Sequence, residues 1–313
     1  MQIVVTGATG FVGRVAIRTL VAAGHDLRLA VRTPLPQPGL DQVVVGDIGP
    51  HTDWSRAVAG ADSVVHLAAR VHVMRDHAGG ADEFRRVNTD GTLQLARAAG
   101  AAGARRFVFL STIKVNGEAT TDRAFRPDDV PHPTDPYGQS KFDAEQGLLS
   151  MPGIDPVVIR PPLVHGPGAK GNLERFCRLA RSGLPVPFGA IDNHRDLVGV
   201  ENMASLIETC LQHPAAPGQV FLVADGEPLS TPELYRMFAA SLGRSARMIA
   251  VPVSLMHAVA RPLGFGGEID RLTQLLRLDI SHTRDVLGWT PPVTAQSGIA
   301  AMALASVPRE RAR

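Results

Sequence analysis

Tyr137 and Lys141 stand four residues apart in the stretch "YGQSK". On a helix that spacing puts both side chains on one face, a turn apart. The pair suggests proton transfer. A free phenol has a pKa of about 10, and a neighbouring ammonium favours the phenolate and lowers it. Reducing a ketone takes a hydride on carbon and a proton on oxygen, and a tyrosine so tuned can supply the proton. Scarcity sharpens the point: the chain has two tyrosines, Tyr137 and Tyr235, and three lysines, Lys114, Lys141 and Lys170. Tyr235 lies in the amphipathic pattern "TPELYRMFAASL" and reads as a packing residue. Ser111 and Thr112 close the apolar run "FVFLST". Capping the strand end is one use for such hydroxyls. With Tyr137 and Lys141 downstream, Thr112 is read instead as a group that hydrogen-bonds and orients the reacting oxygen.

Such groups need a scaffold. "QIVVTG" is a short apolar run ending in glycine, a buried strand. "FVGRVAIRTLVAAG" has apolar residues at helical spacing and closes at Gly24. Strands follow at "DLRLAV" and "DQVVVGDI", then a helix near 53–59 and the strand "SVVHLAA". "EFRRVNTDGTLQLARAAGAAG" predicts one long helix, "RRFVFLS" a strand, and a helix from about Tyr137 leads to a sixth strand, "DPVVIRP". Uniformly apolar strands alternating with helices predict an α/β fold, a Rossmann-type parallel sheet with helices on both faces. The regularity fades after about residue 162. The expected division is a dinucleotide-binding domain over 1–162, carrying Thr112, Tyr137 and Lys141. A smaller mixed α/β substrate lobe follows over 163–313, with room for segments that return to the sheet. The Pro-rich "TPLPQPG" at 33–39 is a loop.

"TGATGFVG" sets Gly7, Gly10 and Gly13 between the first strand and first helix, with Phe11 and Val12 opening that helix. Gly7 permits a tight turn, Gly10 lets the backbone approach a pyrophosphate, and Gly13 allows close helix–strand packing. The helix N-terminus offers the phosphates free N–H groups and partial positive charge. At the end of the second strand an NAD site usually carries a carboxylate and an NADP site a cation. Here the residue is Arg32, whose guanidinium suits a phosphate. Asp26 and Asp41 are not placed to replace it. NADP(H) is the preferred cofactor and NAD(H) the other option. Asp47 and Ile48, after the third strand, would frame the adenine, and Arg14 is a further basic residue near the phosphates.

The formal net charge of +2 offers no basic face for nucleic acid. The basic tail "PRERAR" reads as a solvated end. Cys177 and Cys210 have no metal spacing and read as reduced core thiols of a cytoplasmic protein. No apolar run reaches the roughly 18–20 residues of a membrane span. The chain opens directly on a strand, without a signal-peptide pattern. His66, His72 and His77 have spacings that suit no metal site on one helix face, so no metal is expected.

Taken in order, the glycine loop, "HLAAR", Asn88, "FVFLST", Tyr137-x-x-x-Lys141, "VVIRPPLVHGPG", "HRDLVGVENMASLI" and "LGWTP" resemble the extended short-chain dehydrogenase/reductase family, and within it the nucleotide-sugar epimerase/dehydratase branch. The resemblance covers nearly the whole chain. It implies cofactor contacts at Leu67, Ala68, Ala69, Asn88 and Pro161, with Lys141 also holding the nicotinamide ribose. It implies substrate contacts at Ser111, Lys114, Asn172, Arg195 and Arg271, with Asn116 beside them. Asn172 could cap its helix and offer the N-terminus to a diphosphate. Arg195 could instead pair with Asp196 on the surface. The family's dehydratases carry an Asp-Glu pair after the Thr, whereas this chain has Ile113-Lys114. Its 4-epimerases show an acidic second-strand end and an Asn three residues after the sixth-strand Arg, whereas this chain has Arg32 and Leu163. "FVFLSTIKVNGE" is similar to the bacterial reductases of UDP-4-keto-6-deoxy-N-acetylhexosamines that serve cell-surface polysaccharide such as O-antigen. The expected activity is therefore NADPH-dependent 4-ketoreduction of a nucleotide sugar. The alternatives are a 4-epimerase with bound NAD, a reductase of an unrelated carbonyl, and a non-catalytic NADP-binding regulator. The resemblance also implies a homodimer through the helices near 82–100 and 137–149.

Overall fold

The computed structural model of the chain describes residues 1–36, 39–71 and 80–307. The sheet is made by β1 (Gln2–Thr6), β2 (Asp26–Val31), β3 (Asp41–Val44), β4 (Ser63–His66), β5 (Arg106–Leu110), β6 (Asp155–Arg160) and a late strand from residues 220–222. Two short strands, β7 (Leu163–His165) and β8 (Leu197–Gly199), pair apart from it, which makes the late strand β9 (Val220–Leu222). The order is β3-β2-β1-β4-β5-β6-β9, and every pairing is parallel. The chain leaves β1 in one direction to reach β2 and returns to its other side as β4. That reversal opens a crevice at the carboxyl ends of β1 and β4, where ligands of such sheets bind.

The helices are α1 (Phe11–Ala22), α2 (Ser55–Val58), α3 (Gly80–Phe84), α4 (Gly91–Ala101), α5 (Pro136–Leu149), α6 (Asn172–Ser182) and α7 (Val200–Gln212). After them come α8 (Thr231–Ser241), α9 (Val253–Ala260), α10 (Gly266–Thr273), α11 (Ser281–Leu287) and α12 (Ala295–Ala305). Alternate strand residues serve opposite layers, as the two-residue strand period requires. Val5, Leu29, Val65, Val108 and Val157 pack with α1 and α7, while Val4, Val64, Phe107, Phe109 and Val158 pack with α4 and α5. A third core joins α6, α8 and α12, with Tyr235 buried edge-on against Phe188. Both cysteines are buried as free thiols. Among the described residues, no helix is long and apolar enough to cross a membrane.

Two differences from the sequence expectation bear on the site. The long helix is interrupted: α3 runs into a π-helical turn, Arg85–Asp90, before α4. There the Thr92 hydroxyl takes the Asn88 carbonyl at 2.7 Å, and the Thr89 hydroxyl reaches across to the Ser140 carbonyl of α5 at 2.8 Å. Side chains that enter the backbone ladder widen a helix in this way. Second, the segment allowed to return to the sheet is now defined: β9 adds a seventh strand beyond β6, and α7 packs on α1, neither of which was located from sequence. Three residues are too few for apolar periodicity to show a strand.

Candidate active site

The loop from β1 to α1 is a cradle that only glycines permit. Gly7 lies at φ +73°, and a Cβ there would meet the Ala68 nitrogen at 2.7 Å. A Cβ on Gly13 would lie 2.1 Å from the Gly7 carbonyl oxygen. Gly10 is the N-cap of α1, offers no side-chain cap, and no acidic residue sits in the first turn. The N–H groups of that turn are thus left for an anion, which fits a dinucleotide diphosphate. Ala68 N donates to Thr6 Oγ1 at 3.2 Å, which holds Leu67, Ala68 and Ala69 beside the loop. Phe11 and Val12 are half-buried at the start of α1. At the outer end, the exposed Arg32 and Asp47 pair at 2.9 Å, and Ile48 rests against Gly91 at the start of α4.

At the centre, α5 is started by Asp135, whose carboxylate accepts from Gly138 N at 2.6 Å, with Pro136 in the first turn. Tyr137 follows, half-buried, edge-on to Phe84 at 6.1 Å and hydrogen-bonded to Thr112. Burial first, and then the Asp135 carboxylate, push the phenol up to about 12, while the Thr112 hydrogen bond acts the other way. This corrects the expected lowering. Lys141 directs its ammonium elsewhere, donating to the Leu110 carbonyl at 2.7 Å and lying 4.2 Å over the Phe109 ring. Burial brings Lys141 down to about 7, with Glu145 pulling it back up. The tyrosine is therefore held in its proton-carrying form at neutral pH.

Below Lys141, Phe109 stacks on its other neighbour, His66, at 5.9 Å. The Ala68 N–H engages Thr6 Oγ1, so the Thr6 hydroxyl gives its proton to His66 Nδ1 at 2.7 Å. The Thr92 hydroxyl is spent on Asn88, so His66 Nε2 donates to Thr92 Oγ1 at 2.9 Å. Burial, then the Lys141 charge, lower His66 to about 3, which leaves it neutral with both nitrogens engaged. His72 and His77 lie outside the described residues. Asn88, expected at the cofactor, is buried and uses its amide on Arg70 O and Ser140 Oγ at 3.0 Å each, while accepting from Arg70 N at 2.8 Å. In this arrangement it fixes the β4 exit to α5.

One group escaped the sequence reading. Glu145, one turn beyond Lys141, is fully buried against Arg160 at the end of β6, with a closest approach of 2.6 Å. Ser111 donates its hydroxyl to the same carboxylate, so in this structure that hydroxyl is committed within the protein. Arg160 also donates to Asn116 Oδ1 at 2.9 Å, and Asn116 Nδ2 donates to Arg126 O at 2.7 Å. The carboxylate thereby ties the ends of β5 and β6 to α5. The signal was available: "YGQSKFDAE" places Glu145 four residues after Lys141, one further turn along the same face.

The outer mouth is charged. Lys114 bonds Glu118 at 2.7 Å and Asp135 at 2.5 Å. Burial lowers Arg195, Glu118 raises it, and Arg271 lowers it further, which places these three groups in one field. Arg195 donates to Gln274 O at 3.1 Å, whereas Asp196 turns inward to accept from Leu278 N at 2.7 Å, so the two do not pair on the surface. Asn172 is the first residue of α6 but not its cap. Gly171, at φ 78°, precedes it without a side-chain bond, so that N-terminus is uncapped. Pro161 offers its carbonyl to Ile113 N at 2.9 Å, and Leu163 is exposed at the start of β7.

Residues 3–224 match the NAD dependent epimerase/dehydratase family. The chain belongs to that family. Its relatives include a UDP-glucose 4-epimerase of Vibrio cholerae, 41% identical over 95% of this chain and 93% of the relative. A GDP-6-deoxy-D-mannose reductase of Pseudomonas aeruginosa is 28% identical over 96% and 95%. Among solved structures, MoeE5 in complex with UDP-glucose and NAD superposes with a TM-score of 0.78 at 24% identity, covering 98% of both chains. As a member of this epimerase/dehydratase family, the chain is an NAD(P)-binding enzyme on a Rossmann-type fold.

Proposed function

We propose that the protein reduces the 4-keto group of a nucleotide-linked sugar with NADPH. The observation that supports this reading is Tyr137, hydrogen-bonded to Thr112 at the head of α5, in a chain whose β1–α1 loop is a glycine cradle. Gly7, Gly10, Gly13 and the N-terminus of α1 would hold the cofactor diphosphate, Arg32 a ribose phosphate, and Lys141 the nicotinamide ribose. When bound, the nicotinamide supplies the hydride. The rest falls to the chain. Thr112 Oγ1 fixes the substrate's carbonyl oxygen, and Tyr137 Oη gives that oxygen its proton as negative charge develops there. Lys141 would favour the resulting phenolate only with its ammonium turned toward Tyr137 from its present bond to Leu110 O. Arg195 and Arg271 would take the sugar's diphosphate, with Asn172 at the start of α6 a further candidate contact.

The preferred substrate is a UDP-4-keto-6-deoxy-N-acetylhexosamine, and the preferred assembly is a homodimer through α3, α4 and α5. The Vibrio cholerae relative favours a second reading, 4-epimerisation with a retained NAD. Arg32 in place of an acid, and Leu163 in place of an amide, support reduction. One assay separates them: absorbance of NADPH with UDP-4-keto-6-deoxy-N-acetylglucosamine at low enzyme concentration. Reduction predicts continuous, stoichiometric loss of NADPH, abolished in Tyr137→Phe while cofactor still binds. Interconversion of UDP-hexoses without net NADPH loss would overturn the proposal in favour of the epimerase.

A further inference from the structure

Among the described residues, Ile249, Leu255, Val259, Leu263 and Phe265 are each between 53 and 65% exposed, all within seventeen residues of sequence. Ordinary surfaces scatter single apolar side chains; a run of them marks an interaction site. The local structure explains the run. Leu255 and Val259 share one face of α9, one turn apart, while Met256 and Ala260 form the buried face. Leu263 continues the four-residue spacing into the turn that follows, and Phe265 ends it. Backbone bonds of 3.0 Å from Val186 N to Arg247 O and 2.8 Å from Ile249 N to Val186 O anchor the segment that leads into the ridge. All five side chains stand more than half exposed to solvent.

Basic side chains predominate beside the ridge, and Asp270 of the adjoining α10 lies 3.7 Å from His257 of α9. From Leu234 to Gly267 the sequence contains Arg236, Arg244, Arg247 and Arg261 and no aspartate or glutamate. Arg244, Arg247 and Arg261 are exposed and form no ion pair with any described residue. An apolar ridge flanked by free guanidinium groups matches a surface that is apolar beneath and anionic at its head. Such a helix inserts its apolar side at the headgroup boundary, and each basic residue near an anionic leaflet adds attraction. A deformable bilayer accepts a ridge, whereas a rigid protein partner would need a matching furrow.

We propose that the segment from Arg244 to Phe265 rests on an anionic lipid surface, with α9 lying in the interface plane. Because α9 packs on α10, which carries Arg271, docking would place the charged mouth of the site close to the membrane. The docking itself does not depend on which sugar the enzyme takes.

The test is co-sedimentation of the full-length protein with phosphatidylethanolamine vesicles containing phosphatidylglycerol, against vesicles of phosphatidylcholine alone. The expected result is binding to the anionic vesicles that weakens with salt. Leu255→Ser together with Val259→Ser should abolish it, although the basic tail is retained. Each of Arg244→Gln, Arg247→Gln and Arg261→Gln should weaken it roughly 5-fold with an unchanged thermal melt. No binding to anionic vesicles, or equal binding to both lipids, overturns the proposal. So does concentration-dependent self-association that the serine pair removes, because a second copy then covers the ridge.

Discussion

Consider Glu145→Gln. The substitution keeps the shape of the side chain but removes the charge and replaces one of the two oxygens that accept from Ser111 and Arg160 with an NH2 that cannot accept. Arg160 is then a buried cation, 3% exposed, whose remaining partners at Asn116 and Pro127 are neutral oxygens. Removing one member of a buried pair costs roughly 3–5 kcal/mol, because the other charge has lost its counter-ion without regaining water. For a chain of this length that is a fall in melting temperature of about 5–8 °C. Replacing Arg160 as well, as Glu145→Gln with Arg160→Met, removes the stranded charge and should recover most of the loss. The assay is urea unfolding of wild type, both single variants and the double variant. A single-variant loss below about 1 kcal/mol would refute the reasoning. So would a double variant as unstable as the two single losses combined, since that would mean the two charges do not answer one another.

Three further outcomes are expected. In the cofactor-free protein, Lys141 titrates near 7 when folded against 10.5 when unfolded, so between these values the unfolded chain binds the extra proton. Stability should therefore rise with pH across that window relative to Lys141→Met, by roughly 2 kcal/mol from pH 7 to pH 9; parallel profiles would contradict it. Arg32→Ala should raise KM for NADPH roughly 10- to 100-fold, the worth of a charge-assisted bond, and leave KM for NADH unchanged; equal effects on both would remove Arg32 from cofactor choice. Gly13→Ala forces a methyl into the Gly7 carbonyl and should cost about 3 kcal/mol in thermal unfolding, together with dinucleotide binding.

The sheet was legible because its strands announce themselves: "DLRLAV" and "DPVVIRP" are apolar runs bounded by turns, and they form β2 and β6. The glycine loop was legible for a similar reason, since a positive φ at Gly7 and contact at Gly13 exclude other residues. The helix interruption at Arg85–Asp90 was not, because a π turn depends on where Thr89 and Thr92 find carbonyls in three dimensions. The direction of the Tyr137 shift escaped for a different reason. Sequence spacing places Lys141 on the same face, but only the fold shows its ammonium drawn to Leu110 and Phe109 while Asp135 stands nearer the phenol. The partnership of Glu145 with Arg160 spans fifteen residues and two elements, which no local pattern encodes.

The place of β9 has a consequence for how the chain is made. A ribosome that has released the first 162 residues has delivered six strands, but β6 still presents a free edge where Val220–Leu222 will later pair. At that moment α1 also lacks α7, the helix that packs against it in the finished fold. Nascent chains in that condition are sticky, because an open strand edge is a template for any other strand in reach. Residues 1–162 should therefore be poorly recoverable when expressed alone. Completion of the sheet would wait until residues past 222 have been made.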